Sequence, residues 1–182
     1  MRKIIKYFLL VLVMVMVCTS CDKAKGFDDY ANDLSDSMNT VKTITINAKA
    51  FDSIILVYEY NNETSLLETG DADVTKTITS LNNSFELETK TEKSVIENVQ
   101  RDKLLNFNFN KDLMDNLVVE GNKITCTLNS ENLKSLLNAS DLTINGEAKC
   151  EFIFTDNKIN NIKVSFDTVS SKNVEVNVSY LY

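Results

Sequence analysis

Apolar side chains are spaced so as to divide the chain into elements. From Phe27 they fall at Phe27, Tyr30, Ala31, Leu34, Met38 and Val41, steps of mostly three and four that lay one stripe along a helix. Asp28, Asp29 and Asp33 occupy its first turns, where the positive end of the helix dipole favours them. After Val41 the period drops to two. Ile44, Ile46, Ala48 and Ala50 alternate with Thr43, Thr45, Asn47 and Lys49, the mark of a half-buried strand. Ser53–Tyr60 reads as a more apolar, central strand, and 74–81 and 85–89 read as a pair around an Asn82-Asn83 turn. Ser94-Val95-Ile96-Glu97 has the form of a capping box and predicts a helix to Lys103. Leu105, Phe107 and Phe109 then alternate with asparagines, and 111–117 predicts a single helical turn. Gly121-Asn122 between 117–120 and 123–128 predicts a hairpin, because Gly and Asn tolerate positive φ. A short helix follows over 130–138, with Leu133, Leu136 and Leu137 on one side.

The last third alternates most clearly. Leu142, Ile144, Gly146, Ala148, Cys150, Phe152 and Phe154 share one face of a single strand, which at strand rise would span about 43 Å. Gly146 and Ala148 at its centre predict a bend there. Ile162, Val164 and Phe166 form the next strand, and Val174, Val176, Val178, Tyr180 and Tyr182 the last. Together these patterns predict an α+β fold. A curved antiparallel meander, like a half-barrel, would carry an N-terminal helix and one or two further helices on its apolar face. Residues 27–182 are expected to form a single domain.

Composition narrows the chemistry. The 182 residues contain no His, no Pro, no Trp and only four Gly. Without His, neither Ser-His-Asp nor Cys-His catalysis can be assembled, and four scattered glycines build no phosphate-cradling loop. The net charge of −7, with no basic face in the pattern, argues against nucleic acid as a partner.

The N-terminus adds an address. Arg2, Lys3 and Lys6 precede an uncharged apolar run from Tyr7 to Val17, which is short of the about 20 residues a spanning helix needs. It suits the core of an export signal. Cys18-Thr19-Ser20-Cys21 follows, and Thr19 and Ser20 are the small residues expected before a modified cysteine. The segment resembles the lipobox signal of bacterial lipoproteins, with Cys18 standing where Leu or Val is usual. The resemblance implies a signal over 1–20, a diacylglyceryl thioether on Cys21 and a short tether over 21–26. The chain would then be anchored through lipid at the extracytoplasmic face of a membrane. The mature pattern, especially the ending from Ile144 to Tyr182, is similar to LolA/LppX-type half-barrels and to uncharacterised Gram-positive lipoproteins. That likeness implies binding of a lipid or acyl chain between sheet and helices.

Few residues suggest a site. Asp71-Ala72-Asp73-Val74-Thr75 is similar to the first motif of haloacid-dehalogenase-like phosphatases, but it follows a polar turn in a chain with no βαβ period. A solvated acidic loop is the simpler reading, and too few oxygens lie nearby for calcium. Glu86 and Glu88 read as the wet face of a strand. Cys126 and Cys150 both fall at apolar-face positions, where an extracytoplasmic location favours a disulfide and core packing favours two buried thiols. No metal or other cofactor is expected. The expected function is a non-enzymatic binding module for an apolar ligand, with Phe107, Phe109, Phe152, Phe154, Tyr180 and Tyr182 as its lining. The alternatives are a surface protein that binds an envelope or host protein and, last, an envelope enzyme.

Overall fold

Segments of period two become strands of one sheet, and the two helical stripes pack on its apolar face. The computed structural model describes residues 25–53, 55–101, 109–137, 143–168 and 171–182. Cys21, Leu105, Phe107 and Leu142 lie outside the described residues.

Helix α1 (Phe27–Met38) leads into strands β1 (Thr43–Asp52), β2 (Ile55–Leu66), β3 (Ala72–Leu81) and β4 (Leu87–Ile96). A 3-10 turn at Lys111–Leu113 precedes β5 (Asp115–Glu120) and β6 (Lys123–Leu128). Helix α2 (Ser130–Leu137) then leads to β7 (Ile144–Thr155), β8 (Lys158–Thr168) and β9 (Lys172–Leu181). The nine strands lie in the order β4-β3-β2-β1-β9-β8-β7-β6-β5, and every pairing is antiparallel. The chain therefore walks outward from β1 to one edge, crosses to the other edge, and walks back until β9 closes on β1. Ile44 opposite Tyr180 and Ala48 opposite Val176 mark that seam.

The core lies between the helices and strands β5–β9. Tyr30, Leu34 and Met38 of α1 and Leu133 of α2 are buried with Ile124, Leu128, Phe152, Phe154, Ile162 and Val164. Each helix starts on a local cap. The Gly26 N–H donates to the Asp29 carboxylate at 2.9 Å, and the Asn132 N–H donates to the Asn129 side chain at 3.0 Å. Ser37 is the one buried polar residue among those described, and its position explains itself. Ile159 pairs with Phe154 beside a register slip of β7 on β8, but it lies beyond the pairing of Asn161 with Ser179, where the β8–β9 ladder begins, so its groups facing β9 have no strand partner. The Ile159 N–H donates to Ser37 Oγ at 3.1 Å, and its carbonyl accepts from the Tyr182 hydroxyl at 2.6 Å. Both orphaned groups are satisfied by side chains.

The bend expected at Gly146 is present. Gly146 has φ 89°, inside a register irregularity between Asn145 and Lys149. The helix expected from Ser94 is not. Ser94, Val95 and Ile96 are the end of β4, whose ladder with β3 runs unbroken from Leu81 opposite Leu87 to Ala72 opposite Ile96. Pairing with β3 satisfies the backbone groups that a capping box would have served. Asn98, at φ 55°, then turns the chain and donates its N–H to Asp71. Phe85, expected in the strand, lies in the turn before it, at φ 61° and 87% exposed. β2 runs six residues beyond Tyr60 and is third from its edge rather than central.

Candidate binding surface

Strand pleat puts the residues between the core positions on the face opposite α1 and α2, where they form rows of directly opposed side chains. One row runs Thr125, Glu151, Lys163, Asn177, Asn47, Asn61, Thr77 and Thr91, from β6 to β4. The next runs Thr127, Lys149, Ser165, Glu175, Lys49, Glu59, Thr79 and Thr89. Every position in both rows is polar. A hollow of about 700 Å³ lies on this face over Asn47, Lys49, Lys149, Glu151, Lys163 and Glu175.

Four of the six charges in the rows are in ion pairs. Glu151 takes Lys123 at 3.2 Å and Lys163 at 3.6 Å, and Glu59 takes Lys49 at 3.3 Å. The Asn47 amide donates to the same Glu59 oxygen at 3.1 Å. That hydrogen bond, helped by Lys49, holds the Glu59 carboxyl below its ordinary range. Farther out, the Thr79 and Thr89 hydroxyls lie 2.9 Å apart, and those of Thr77 and Thr91 3.2 Å apart. The surface offers hydrogen-bond donors and acceptors of both charge signs over five adjacent strands, which suits a polar partner.

The sequence-derived candidates distribute as follows. Phe152, Phe154 and Tyr180 are core residues, and Phe109 packs against them, stacked on Phe27 at 4.6 Å and edge-on to Phe152 at 5.0 Å. They are committed to packing α1 onto the sheet. Asp71 holds a turn: its carboxylate accepts from Thr69 Oγ and from the Asn98 N–H, both at 3.1 Å. Glu86 and Glu88 are exposed, and Glu88 accepts from the Asn82 amide at 2.9 Å. Among the described residues, no three His, Cys, Asp or Glu side chains converge on a metal position.

Cys126 and Cys150 are brought directly opposite one another across β6 and β7, both as buried free thiols. The hydrogen bond that Cys150 shares with Cys126, and then burial, holds the Cys150 thiol far above its usual range. That makes Cys150 an inert core thiol, while the same hydrogen bond lowers the Cys126 thiol against the opposing effect of burial. The polar rows were the feature sequence reasoning left unused. Their signal was present in Thr43, Thr45, Asn47 and Lys49, which alternate with the apolar positions; their cross-strand neighbours depend on register.

No protein-family model matches the chain, and no curated protein matches it. Among solved structures it is similar to the dehydratase domain from the CurF module of curacin polyketide synthase, at 7% identity and a TM-score of 0.25, covering 78% of this chain and 75% of that one. The dehydratase domain from the CurK module of the same synthase gives 8% identity and a TM-score of 0.21, covering 78% and 74%. Likenesses this slight carry no argument about fold or activity.

Proposed function

We propose that the protein is a lipid-anchored, extracytoplasmic binding module, non-enzymatic, that meets a protein partner at a surface remote from its anchor. Cys21 carries the lipid in this reading, and the polar tether over 21–26 delivers the chain to α1. The reading rests on the polarity of the strands. Lys25, four residues after the anchor, is tied to Asp33 at 2.6 Å and to Asn157 in the β7–β8 turn at 2.8 Å. Of the exposed apolar side chains, Phe85, the most exposed, sits with Ile55 and Leu87 at the other strand ends, in or beside the β1–β2 and β3–β4 turns, while Val95, Ile96 and Leu181 are exposed at the near ends. β3 alone, ten residues long, separates the two ends by roughly 30 Å. Large exposed apolar residues in such a position suit contact with another protein. We also read the sheet as half-barrel-like in curvature, which the bulges at Ala50/Phe51, Asn145/Lys149 and Ile153/Phe154 support.

Two measurements test this. Cys21→Ala should stop incorporation of labelled palmitate, whereas Cys18→Ala should leave it intact. The reverse pattern sinks the anchor. A photo-cross-linking residue placed at Phe85 of the full chain in cells should yield a discrete protein adduct, and one at Glu68, at the opposite strand ends, should not. Equal labelling from both positions, or none from Phe85, overturns the remote contact. One observation favours a second reading, an apolar ligand. The apolar face continues past the helices as Tyr60 and Ile78, opposite one another in β2 and β3. Native mass spectrometry of the protein after mild extraction would then show a co-purified acyl species.

A further inference from the structure

Among the described residues the sheet has two edges without a neighbouring strand, and they are built differently. β5 is six residues long, slips register against β6 between Asp115 and Val118, and holds Asn116 at φ 52°. Short length and a bulge are the usual ways of blunting an edge. β4 has neither. Its ten residues pair with β3 without interruption and are exposed from end to end. No proline interrupts it, since the chain has none. The outer side of β4 thus offers a straight row of backbone donors and acceptors to another strand.

Its charges alternate in a way that selects the partner. Aligned antiparallel with a second copy and centred on Thr91, β4 sets Lys90 opposite Glu92 and, by symmetry, Glu92 opposite Lys90. Leu87, 54% exposed, falls opposite Val95, 61% exposed, twice over. Glu88 meets Ser94 and Thr89 meets Lys93, so no like charges face one another. Registers that keep the same faces together but move the centre are worse. Centring on Lys90 sets Glu88 against Glu92, and centring on Glu92 sets that carboxylate against its own copy.

We propose that the chain self-associates through β4, two copies joining edge to edge about a two-fold axis at Thr91 into one continuous antiparallel sheet. Apolar Leu87–Val95 pairs close on the face opposite α1 and α2, and the Lys90–Glu92 pairs fix the register on the other. This holds independently of the anchor and of any partner at Phe85.

Thr91→Cys in the full chain, oxidised in cells with copper–phenanthroline, should give a covalent dimer on non-reducing gels. Lys93→Cys should not, because that position faces Thr89 of the other copy and lies roughly 14 Å from its own counterpart, four residues along. In the Thr91→Cys background, Lys90→Glu or Glu92→Lys should each cut the dimer several-fold, by setting like charges opposite one another. Co-expressing those two variants should restore it, since every Glu of one then faces a Lys of the other. Dimer formation equal at positions 91 and 93, or indifferent to charge reversal and mixing, overturns the proposal. Failure of the Phe85 cross-link would leave this result untouched.

Discussion

A single row of opposed residues crosses both halves of the sheet: Cys126, Cys150, Val164, Val176, Ala48, Tyr60, Ile78 and Lys90. The first four are buried, the next three are partly buried, and Lys90 is exposed. The backbone geometry is the same throughout. What changes is the source of stability. Under α1 and α2 the row is core, and burying such side chains contributes about 1.5–3 kcal/mol each. In the wing of β2, β3 and β4, where among the described residues only Leu66 packs against that core, the strands are held by the ladder and by pairs such as Thr79–Thr89, worth about 0.2–1 kcal/mol each. A regular sheet can thus contain a half that folds on its core and a half that depends on it. The wing is expected to open first in hydrogen exchange.

The sharpest way to break the comparison is to empty the covered half. Phe152 is fully buried and packs edge-on against Phe109. Phe152→Ala should lower unfolding free energy by about 3–5 kcal/mol in urea titrations. A loss below about 1 kcal/mol would mean that stability does not reside under the helices. A smaller effect is expected where helix and sheet are joined by hydrogen bonds. Ser37→Ala leaves the buried Ile159 N–H without its partner, and should cost about 1–3 kcal/mol. An unchanged urea midpoint would show that the N–H finds another acceptor.

The covered half was the legible half. Apolar alternation through Cys150, Phe152, Phe154, Ile162 and Val164 marks strands with one dry face, and those residues are core. The stripe from Phe27 to Met38 gave α1 for the same reason. The wing was harder because β4 reads Leu-Glu-Thr-Lys-Thr-Glu-Lys-Ser-Val-Ile, with no apolar period to report. A local signal, Ser94 with Glu97, then pointed to a helix, and pairing with β3 overrode it. Cross-strand partnership was also out of reach. Cys126 and Cys150 could each be placed on the apolar face, but only the register of β6 on β7 sets them side by side. The polar rows are illegible for the same reason: each strand shows its own alternation, and the neighbours come from pairings 10 to more than 100 residues apart, such as Thr79 with Thr89 and Asn47 with Asn177.

The smallest expected effect lies at the seam where the wing meets the covered half. Glu59 of β2 is held there by the Asn47 amide and the Lys49 ammonium, both from β1. These partners favour the carboxylate, so the folded-state pKa lies below the ordinary glutamate value of 4.5. A depressed pKa contributes stability that is complete above the unfolded value and disappears as pH falls through the folded one. The contribution is small, about 0.5 kcal/mol or less, because the pair is partly exposed and screened by water. Glu59→Gln keeps an acceptor for Asn47 and removes the charge. The urea midpoints of wild type and Glu59→Gln should therefore differ by a constant amount above pH 4.5 and converge as the pH is taken below it. A gap that persists once the pH is below the folded-state pKa of Glu59, where its own carboxyl is protonated, would assign it to lost packing rather than to charge. Low salt should widen the neutral-pH gap and high salt should close it. In the covered half, the cost of Phe152→Ala should stay the same under both conditions.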